Sequence, residues 1–229
     1  KLPTATKLKQ LGGHLGHLRR FLHPSFRPYV EAIRDKLVFI DLKKAVKALK
    51  GAGEFIKKNK KARVLWVGTK PAVKDLIKTI GEELGHPYVA EKWLGGMLTN
   101  FETLKRNLEH LESLKKEKKK KLKEMTKKER RILDQKIARL EKYLSGLKDL
   151  KELPEIVILV DPFAEETAVK EAKRKGIKIV AICDVSANLW NIDYPIPLND
   201  ESRLALKEVL TCLARVFAPK FSFPEETKK

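Results

Sequence analysis

The chain has 229 residues, which is enough for one sizeable core or two small ones. Lys and Arg total 50 against 30 acidic residues, and the formal net charge of +20 predicts a polyanionic partner. Its two cysteines are too few for a disulfide scaffold or a four-thiolate zinc site. No apolar run approaches the roughly 18 residues of a membrane span, so no membrane partner is expected.

The positive charge is concentrated in two segments. Residues 1–36 hold eight Lys or Arg against two acidic residues, and residues 105–151 hold 18 against eight. The rest of the chain is nearly balanced. This distribution predicts a globular body with two basic attachments and favours nucleic acid as the partner.

Short apolar runs alternate with amphipathic stretches, which is typical of βα units on a mostly parallel sheet. The predicted strands are residues 37–41, 63–67, 88–89, 156–160 and 179–183. The predicted helices are residues 42–58, 71–85, 165–175 and 201–218. Pro71 is expected at a first helical position, and Gly85 and Gly176 at helix ends. The predicted fold class is α/β, with a doubly wound sheet of the Rossmann or flavodoxin type.

Residues 92–101 combine an aromatic anchor, a flexible Gly pair and a helix start in ten positions. Gly95 and Gly96 permit positive φ or a close backbone approach. Taken alone, the segment also fits an ordinary strand-to-helix turn with Trp93 and Leu94 in the core. Its function therefore depends on its context.

Two capping boxes predict helix starts. Thr99 with Glu102 predicts a helix that begins near Asn100, and Thr126 with Glu129 predicts a second helix after a chain reversal. The reversal is expected just before Thr126 and after a run of four lysines.

Between Leu104 and Leu153 the apolar pattern becomes that of two packed helices. The second helix carries a seam with alternating spacings of four and three, formed by Leu133, Ile137, Leu140, Leu144 and Leu147. Leu104, Leu108 and Leu111 begin the same pattern in the first helix, but Lys115 and Lys118 then occupy seam positions. Looser pairing is expected toward the tip. The predicted organisation is a sheet domain of residues 1–103 and 152–229 with a coiled-coil hairpin inserted at residues 104–151.

Several residues have side chains that could serve catalysis or metal binding. Asp161 and Asp184 end predicted strands, where doubly wound folds bind ligands, and could hold magnesium for phosphoryl transfer with Lys70 stabilising charge. Capping of the following turns is the alternative, since no nucleophile or general base stands out nearby. His14 and His17 lie three apart on a possible helix without a third ligand at a recognisable spacing. No metal and no cofactor are expected.

Nearly the whole chain resembles a known family, the universal small-subunit ribosomal proteins called S-two. The matching segments are Gly-His-Leu-Gly-His at 13–17, Val-Gly-Thr-Lys at 67–70, Trp-Leu-Gly-Gly-Met-Leu-Thr-Asn at 93–100, Thr-Lys-Lys-Glu at 126–129, Gly-Leu-Lys-Asp at 146–149, residues 153–154 and 156–161, Glu171, Tyr-Pro-Ile-Pro at 194–197 and Asn-Asp at 199–200. The resemblance implies a structural role: binding of small-subunit rRNA and neighbouring ribosomal proteins at the junction of head and body, with no catalysis and no small-molecule substrate.

The resemblance and the charge pattern together give candidate RNA-binding residues. In the body they are His14, His17, Arg19, Arg20, Arg27, Lys70, Lys92, Gly95, Gly96, Thr99 and Asn100. In the arm they are Arg106, Lys118, Lys119, Lys120, Lys121, Lys127, Lys128, Arg130 and Arg131. Trp93 is expected in the core and not as a stacking platform.

Departures from the family pattern bear on the origin of the chain. Lys92 stands where Arg is usual, which keeps the charge but loses bidentate phosphate geometry. Leu198 stands where Gly is usual, and the loop at 185–192 is divergent. The hairpin indicates the bacterial and organellar branch. The divergent loop favours a mitochondrial ribosome, in the matrix, over a divergent bacterial one in the cytoplasm.

Two rival functions remain open on the sequence alone. A magnesium-dependent phosphoryl-transfer enzyme would need the aspartates at the strand ends. A coiled-coil adaptor would dock another protein's helix through Leu111 or Leu133, although the polar seam near the tip argues against it. An rRNA-binding scaffold would instead show binding that weakens steeply with salt.

Overall fold

The computed structural model describes residues 2–121 and 125–224, with Lys121 described by its backbone alone. Its strands are β1 (Leu15–Leu18), β2 (Val30–Arg34), β3 (Leu37–Ile40), β4 (Val64–Val67), β5 (Tyr88–Val89), β6 (Ile156–Val160), β7 (Lys178–Cys183) and β8 (Tyr194–Pro197). Its α-helices are α1 (Ala5–Gln10), α2 (Leu42–Lys58), α3 (Lys74–Leu84), α4 (Phe101–Lys121), α5 (Lys127–Leu144), α6 (Glu166–Arg174) and α7 (Arg203–Ala214). Short 3-10 segments are Arg19–Phe21, Pro24–Tyr29, Ser145–Leu147 and Leu189–Asn191. None of the helices in these residues is long and apolar enough to cross a bilayer.

A five-stranded parallel sheet forms the centre of the fold, in the order β5-β4-β6-β7-β8. Successive residues of a strand point to opposite faces, so Val157 and Leu159 of β6 enter one core while Ile158 and Val160 enter the other. Helices α2, α3 and α7 cover the second face, and α6 with the base of the hairpin covers the first. Continuous apolar strands buried on both faces are what a doubly wound sheet requires, and the predicted α/β class is confirmed.

The predicted strand at residues 37–41 does not belong to this sheet. It is β3, the middle strand of a separate three-stranded antiparallel sheet in the order β1-β3-β2. Asp35 and Lys36 both have positive φ, at 47° and 67°, and form a two-residue turn between β2 and β3. A turn this tight reverses the chain, so β3 pairs antiparallel with the strand before it.

Two predicted helices begin later than expected. Residues 70–73 form a turn in which the carbonyl of Lys70 accepts from Val73 and Lys74, so α3 begins at Lys74 and Pro71 precedes the helix instead of starting it. Helix α7 begins at Arg203, because the hydroxyl of Ser202 accepts from the Ala205 N–H and sets its start. It also ends earlier than predicted, at Ala214.

The predicted helix ends at glycine agree with the structure. Gly85 follows α3 with φ of 64°, and Gly176 follows α6 with φ of 68°. Both lie in the left-handed region that glycine adopts without steric cost.

Helices α4 and α5 pack against each other as a hairpin whose seam is partly charged. Leu111 is fully buried, while farther along α4 the ammonium groups of Lys115 and Lys118 lie 2.8 Å from Glu141 and 2.7 Å from Asp134 on α5. The seam lysines therefore pair across the hairpin, so that ion pairs replace apolar contacts there. A coiled coil remains a prediction.

The second capping box is present where the sequence predicts it. The Thr126 hydroxyl accepts from the Glu129 N–H, and the Glu129 carboxylate accepts from the Thr126 N–H. The predicted chain reversal falls on residues 122–124, outside the described residues.

The end of the hairpin returns to the sheet at a point of very close backbone approach. A Cβ on Gly146 would lie 2.3 Å from the carbonyl oxygen of Tyr88 in β5 and 2.7 Å from its ring. Backbone cannot yield as a flexible side chain can, so only glycine fits there.

We expect Gly146→Ala to lower the free energy of unfolding by about 2 kcal/mol, because the new methyl group overpacks a contact with backbone. Gly51→Ala is the matched control: Gly51 lies within α2, and a Cβ added there would meet no atom within 4 Å. Alanine is the better helix former at that position, so the control variant should gain roughly 0.5–1 kcal/mol. Urea unfolding at constant m-value measures both. Equal effects of the two variants would contradict the close approach.

Candidate functional site

A buried carboxylate holds the Gly-Gly turn in place. Glu171 on α6 is 6% exposed, and its carboxylate accepts hydrogen bonds from the Trp93 Nε1–H at 3.2 Å and from three backbone N–H groups. Those groups belong to Gly96 at 2.7 Å, Leu98 at 2.9 Å and Thr99 at 3.0 Å. The Thr99 hydroxyl donates a fifth bond at 3.1 Å. One side chain thereby satisfies five hydrogen-bond donors of residues 93–99.

The hydrogen bonds keep this carboxylate ionised. Burial alone would raise the pKa of Glu171, but the N–H donors of Thr99, Gly96 and Leu98, with the Trp93 indole, lower the pKa below its ordinary value. The turn also requires glycine at position 96, because the φ of Gly96 is 92° and lies in the left-handed region that residues with a Cβ rarely adopt.

The capping box predicted for Thr99 and Glu102 is wrong. In that box the Thr99 N–H would donate to the Glu102 carboxylate, but it donates to Glu171 instead, at 3.0 Å. Asn100 marks the start of α4, because its carbonyl accepts from the Thr103 N–H and its side-chain oxygen accepts from the Thr103 hydroxyl. The helix begins at Phe101, which agrees with the predicted start near Asn100.

The outward edge of the turn is polar and exposed. Lys92, Gly95, Asn100 and Arg106 are exposed, and together we call them the turn surface. The Arg106 guanidinium donates to the Thr103 hydroxyl at 2.9 Å, which holds it on the same side of α4 as Asn100. Trp93 is 7% exposed and lies in the core, as the sequence suggested.

The crevice at the carboxyl ends of the parallel strands is filled by the chain's own ion pairs. The Lys70 ammonium lies 2.5 Å from Asp161 and 2.7 Å from Asp200. Burial lowers the pKa of Lys70, but the two carboxylates outweigh that effect and raise it; burial raises the pKa of Asp200 to about 6. The positive charge of Lys70 is therefore balanced by two carboxylates within the fold. This pairing disfavours Lys70 as a phosphate contact.

Two of the aspartates that follow strands, Asp161 and Asp41, act as caps. Asp161 accepts from the backbone N–H groups of Phe163 and Ala164 at 3.0 and 3.1 Å. Asp41 accepts from the first turn of α2 in the same way. These bonds are the capping alternative to a catalytic role.

His17 lies on β1, and not on the helix considered from the sequence. Its Nδ1 is hydrogen-bonded to Asp184, and its Nε2 lies 3.2 Å from Glu201. Burial lowers the pKa of His17, but the two carboxylates raise it by more than burial lowers it, so the pKa lies above its ordinary value. The strand approaches closely because residue 16 is glycine: a Cβ there would lie 2.5 Å from a Val185 methyl group.

The structure also brings together donors that sequence spacing did not connect. His17, Asp184 and Asp200 each offer a ligand atom, and these atoms lie within 4.8 Å of one another. One oxygen of each aspartate is buried without a hydrogen-bond partner. An imidazole and two carboxylates are a donor set that suits zinc. His14, by contrast, packs its ring against Phe39 at 5.8 Å and contributes no donor to this group.

The remaining candidates divide by exposure. The exposed ones are Arg19, Arg20, Arg27, Lys119, Lys120, Lys127, Lys128, Arg130 and Arg131. Gly96 and Thr99 are half-buried and bonded to Glu171, and Lys118 is paired with Asp134. The side chain of Lys121 lies outside the described residues.

The fold and this site define an α/β protein with a lysine ion-paired in the crevice at the strand ends, a carboxylate-held Gly-Gly turn and a basic helical hairpin. Comparison with known proteins gives the particular family. The family model described as ribosomal protein S2 matches residues 8–218. The chain belongs to this family, which is structural and not enzymatic.

Bacterial relatives match along most of the chain. Small ribosomal subunit protein uS2 of Coprothermobacter proteolyticus is 36% identical over 214 residues, covering 92% of this chain and 80% of the relative. The protein of the same name from Psychrobacter cryohalolentis is 37% identical, with 93% and 83% covered. That of Thermus thermophilus is 36% identical, with 91% and 82% covered.

We expect Glu171→Gln to lower the free energy of unfolding by about 3 kcal/mol at neutral pH, because an amide offers one acceptor and places its own N–H groups against donors. Glu166→Gln is the matched control on the same helix: its carboxylate is exposed and pairs with Lys170, so the change should stay within about 0.5 kcal/mol. Urea unfolding measures both.

The lowered pKa of Glu171 determines how the destabilisation by Glu171→Gln depends on pH. A carboxylate with a lowered folded pKa stabilises the fold above its unfolded value of 4.5, and this stabilisation is lost as pH falls through the folded pKa. The difference between wild type and Glu171→Gln should therefore be full at pH 6 to 7 and shrink below about pH 4. A difference that is the same at every pH would contradict an ionised Glu171.

Proposed function

We propose that this chain is a component of the small ribosomal subunit that binds rRNA and neighbouring ribosomal proteins at the junction of head and body. Membership of the S2 family over residues 8–218 carries the proposal. The net charge of +20 supports a polyanionic partner, because self-repulsion of this size is relieved when phosphates neutralise it.

Three basic surfaces are proposed to contact rRNA. The first is the N-terminal segment with Arg19, Arg20 and Arg27, the second is the turn surface, and the third is the hairpin. Arg20 lies over the Phe21 ring at 4.7 Å, which holds its guanidinium at the surface. These groups would position the chain through phosphate contacts and would carry little sequence information.

The bacterial origin of the relatives favours a bacterial ribosome and hence the cytoplasm. The relatives do not support the mitochondrial matrix, which the divergent 185–192 loop had favoured. The division into a sheet domain of residues 1–103 and 152–229 and an insertion of residues 104–151 is part of this proposal, with the insertion acting as an rRNA-binding arm.

The adaptor alternative receives no support from side-chain exposure. Leu111 and Leu133, through which another protein's helix would dock, are 0% and 7% exposed because α4 and α5 cover them. A docking helix would first have to separate the hairpin. Binding through the exposed basic groups requires no such opening.

Sedimentation of a lysate of the source cells through a gradient tests the proposal. We expect the chain to cofractionate with the small subunit at low salt and to be released at high salt. The double variant Arg19→Ala, Arg20→Ala should be released at lower salt, and its affinity for rRNA should show a salt slope smaller by about one to two units.

The control for this experiment is Lys57→Ala, Lys58→Ala, which removes two exposed cations at the end of α2 that lie outside the proposed surfaces. It should behave like the wild type. A chain that stays with light proteins at both salt concentrations would overturn the proposed function.

A further inference from the structure

Trp190 is a large aromatic side chain held at the surface. It is 71% exposed, whereas Trp66 and Trp93 are 0% and 7% exposed. Exposing an indole forgoes the stabilisation that burial would give, and exposed aromatic side chains on ordered backbone commonly mark binding surfaces.

The backbone around Trp190 is held by local hydrogen bonds. The Trp190 N–H donates to the Asn188 side chain at 3.1 Å, and the Leu189 N–H donates to the Ser25 hydroxyl at 2.9 Å. His23 packs against the indole with ring centroids 5.2 Å apart and planes at 77°. Because the residue remains 71% exposed, this contact leaves the indole open to a further stacking partner.

A groove of about 250 Å³ lies beside the indole, between the end of α6 and the 189–193 segment. Lys173 and Lys178 line it, and each bonds to the opposite wall: Lys173 to Asn191 at 2.5 Å and Lys178 to Asp193 at 2.7 Å. These bonds fix the distance between the two walls.

The surroundings of the groove are strongly basic. Arg174 and Lys175 are exposed at the end of α6, and neither makes an ion pair with a described residue. Among the described residues that line the groove, Asp193 is the one acid, whereas Lys173 and Lys178 line it as cations and Arg174 and Lys175 follow Lys173 directly along the chain. The groove is also lined by Ile177, Ile179 and Ile192, but these are only 7%, 1% and 8% exposed, so its accessible lining is mainly polar. A polyanion would therefore meet complementary charge beside the tryptophan.

We propose that Trp190 and the basic end of α6 bind a single-stranded segment of rRNA, with one base stacked on the indole and the adjacent phosphates on Arg174 and Lys175. This inference rests on the proposed function and adds a fourth contact to it. Stacking accepts any base, because every base has a π face, and the cations follow the backbone. His23, which packs against the indole, lies between Arg20 and Arg27 of the N-terminal basic segment along the chain.

Tryptophan fluorescence of the full chain, titrated with a short oligoriboadenylate, tests the inference directly. Trp190 is the exposed one of the three tryptophans, so stacking should quench its emission saturably. Trp190→Ala should weaken binding about tenfold with an unchanged salt slope, and Trp190→Phe should retain most of the affinity. Arg174→Ala with Lys175→Ala should retain the quenching but lower the salt slope by about 1.4, or about 0.7 for each lost phosphate contact.

Phe163→Ala is the control, because Phe163 is 69% exposed at the opposite end of the parallel strands. It should bind like the wild type, and unchanged urea midpoints would show that each variant is folded. The inference would be overturned if the wild type binds rRNA without quenching of its fluorescence and Trp190→Ala binds with the same affinity. The proposed function would then still stand. Loss of a neighbouring protein from Trp190→Ala subunits with RNA affinity intact would overturn it in favour of a protein contact. A wild type without any rRNA binding would overturn the proposed function itself.

Discussion

The carboxylate of Glu171 is the interaction on which the arrangement of sheet, turn and hairpin depends. It projects from α6, whose Ala168 and Ala172 pack in the same core as the parallel sheet, and accepts five hydrogen bonds from residues 93–99. Helix α4 begins two residues beyond that segment. The position of the hairpin's first helix is thereby connected to the sheet through a single buried charge, which is stable only because its acceptor capacity is satisfied.

The crevice at the carboxyl ends of the parallel strands contains a second group of buried charges. A doubly wound sheet directs side chains from several strand ends into one place, and in enzymes that place receives a ligand. Here Lys70 lies between Asp161 and Asp200 and pairs with both, although one oxygen of Asp200 and one of Asp184 remain without a hydrogen-bond partner. The architecture used elsewhere for nucleotide chemistry serves here as a scaffold, and the proposed rRNA contacts lie on the outer surface of the chain.

Local patterns in the sequence predicted the parts of the fold that local physics determines. The uninterrupted apolar run of β6, the length of α2 and the capping box of α5 are each set by neighbouring residues. Strand β8 was missed because Pro195 and Pro197 argue against a strand, yet β8 is the last strand of its sheet, where proline is tolerated. Non-local partnerships could not be predicted in this way. Glu171 lies more than 70 residues from the turn that it holds, and nothing in its spacing distinguishes it from an exposed helical glutamate such as Glu166. The family resemblance marked Glu171 as a matching position, and the structure supplied the reason for it.

The most direct test of this account is amide hydrogen exchange at Gly96, Leu98 and Thr99. These three N–H groups should be strongly protected in the wild type and in Glu166→Gln, because the Glu171 carboxylate accepts from all of them. In Glu171→Gln their exchange should accelerate on the order of 100-fold, while amides in β6 keep their protection. Unchanged protection of the three amides in Glu171→Gln would show that something other than this carboxylate orders the turn, and would contradict the account.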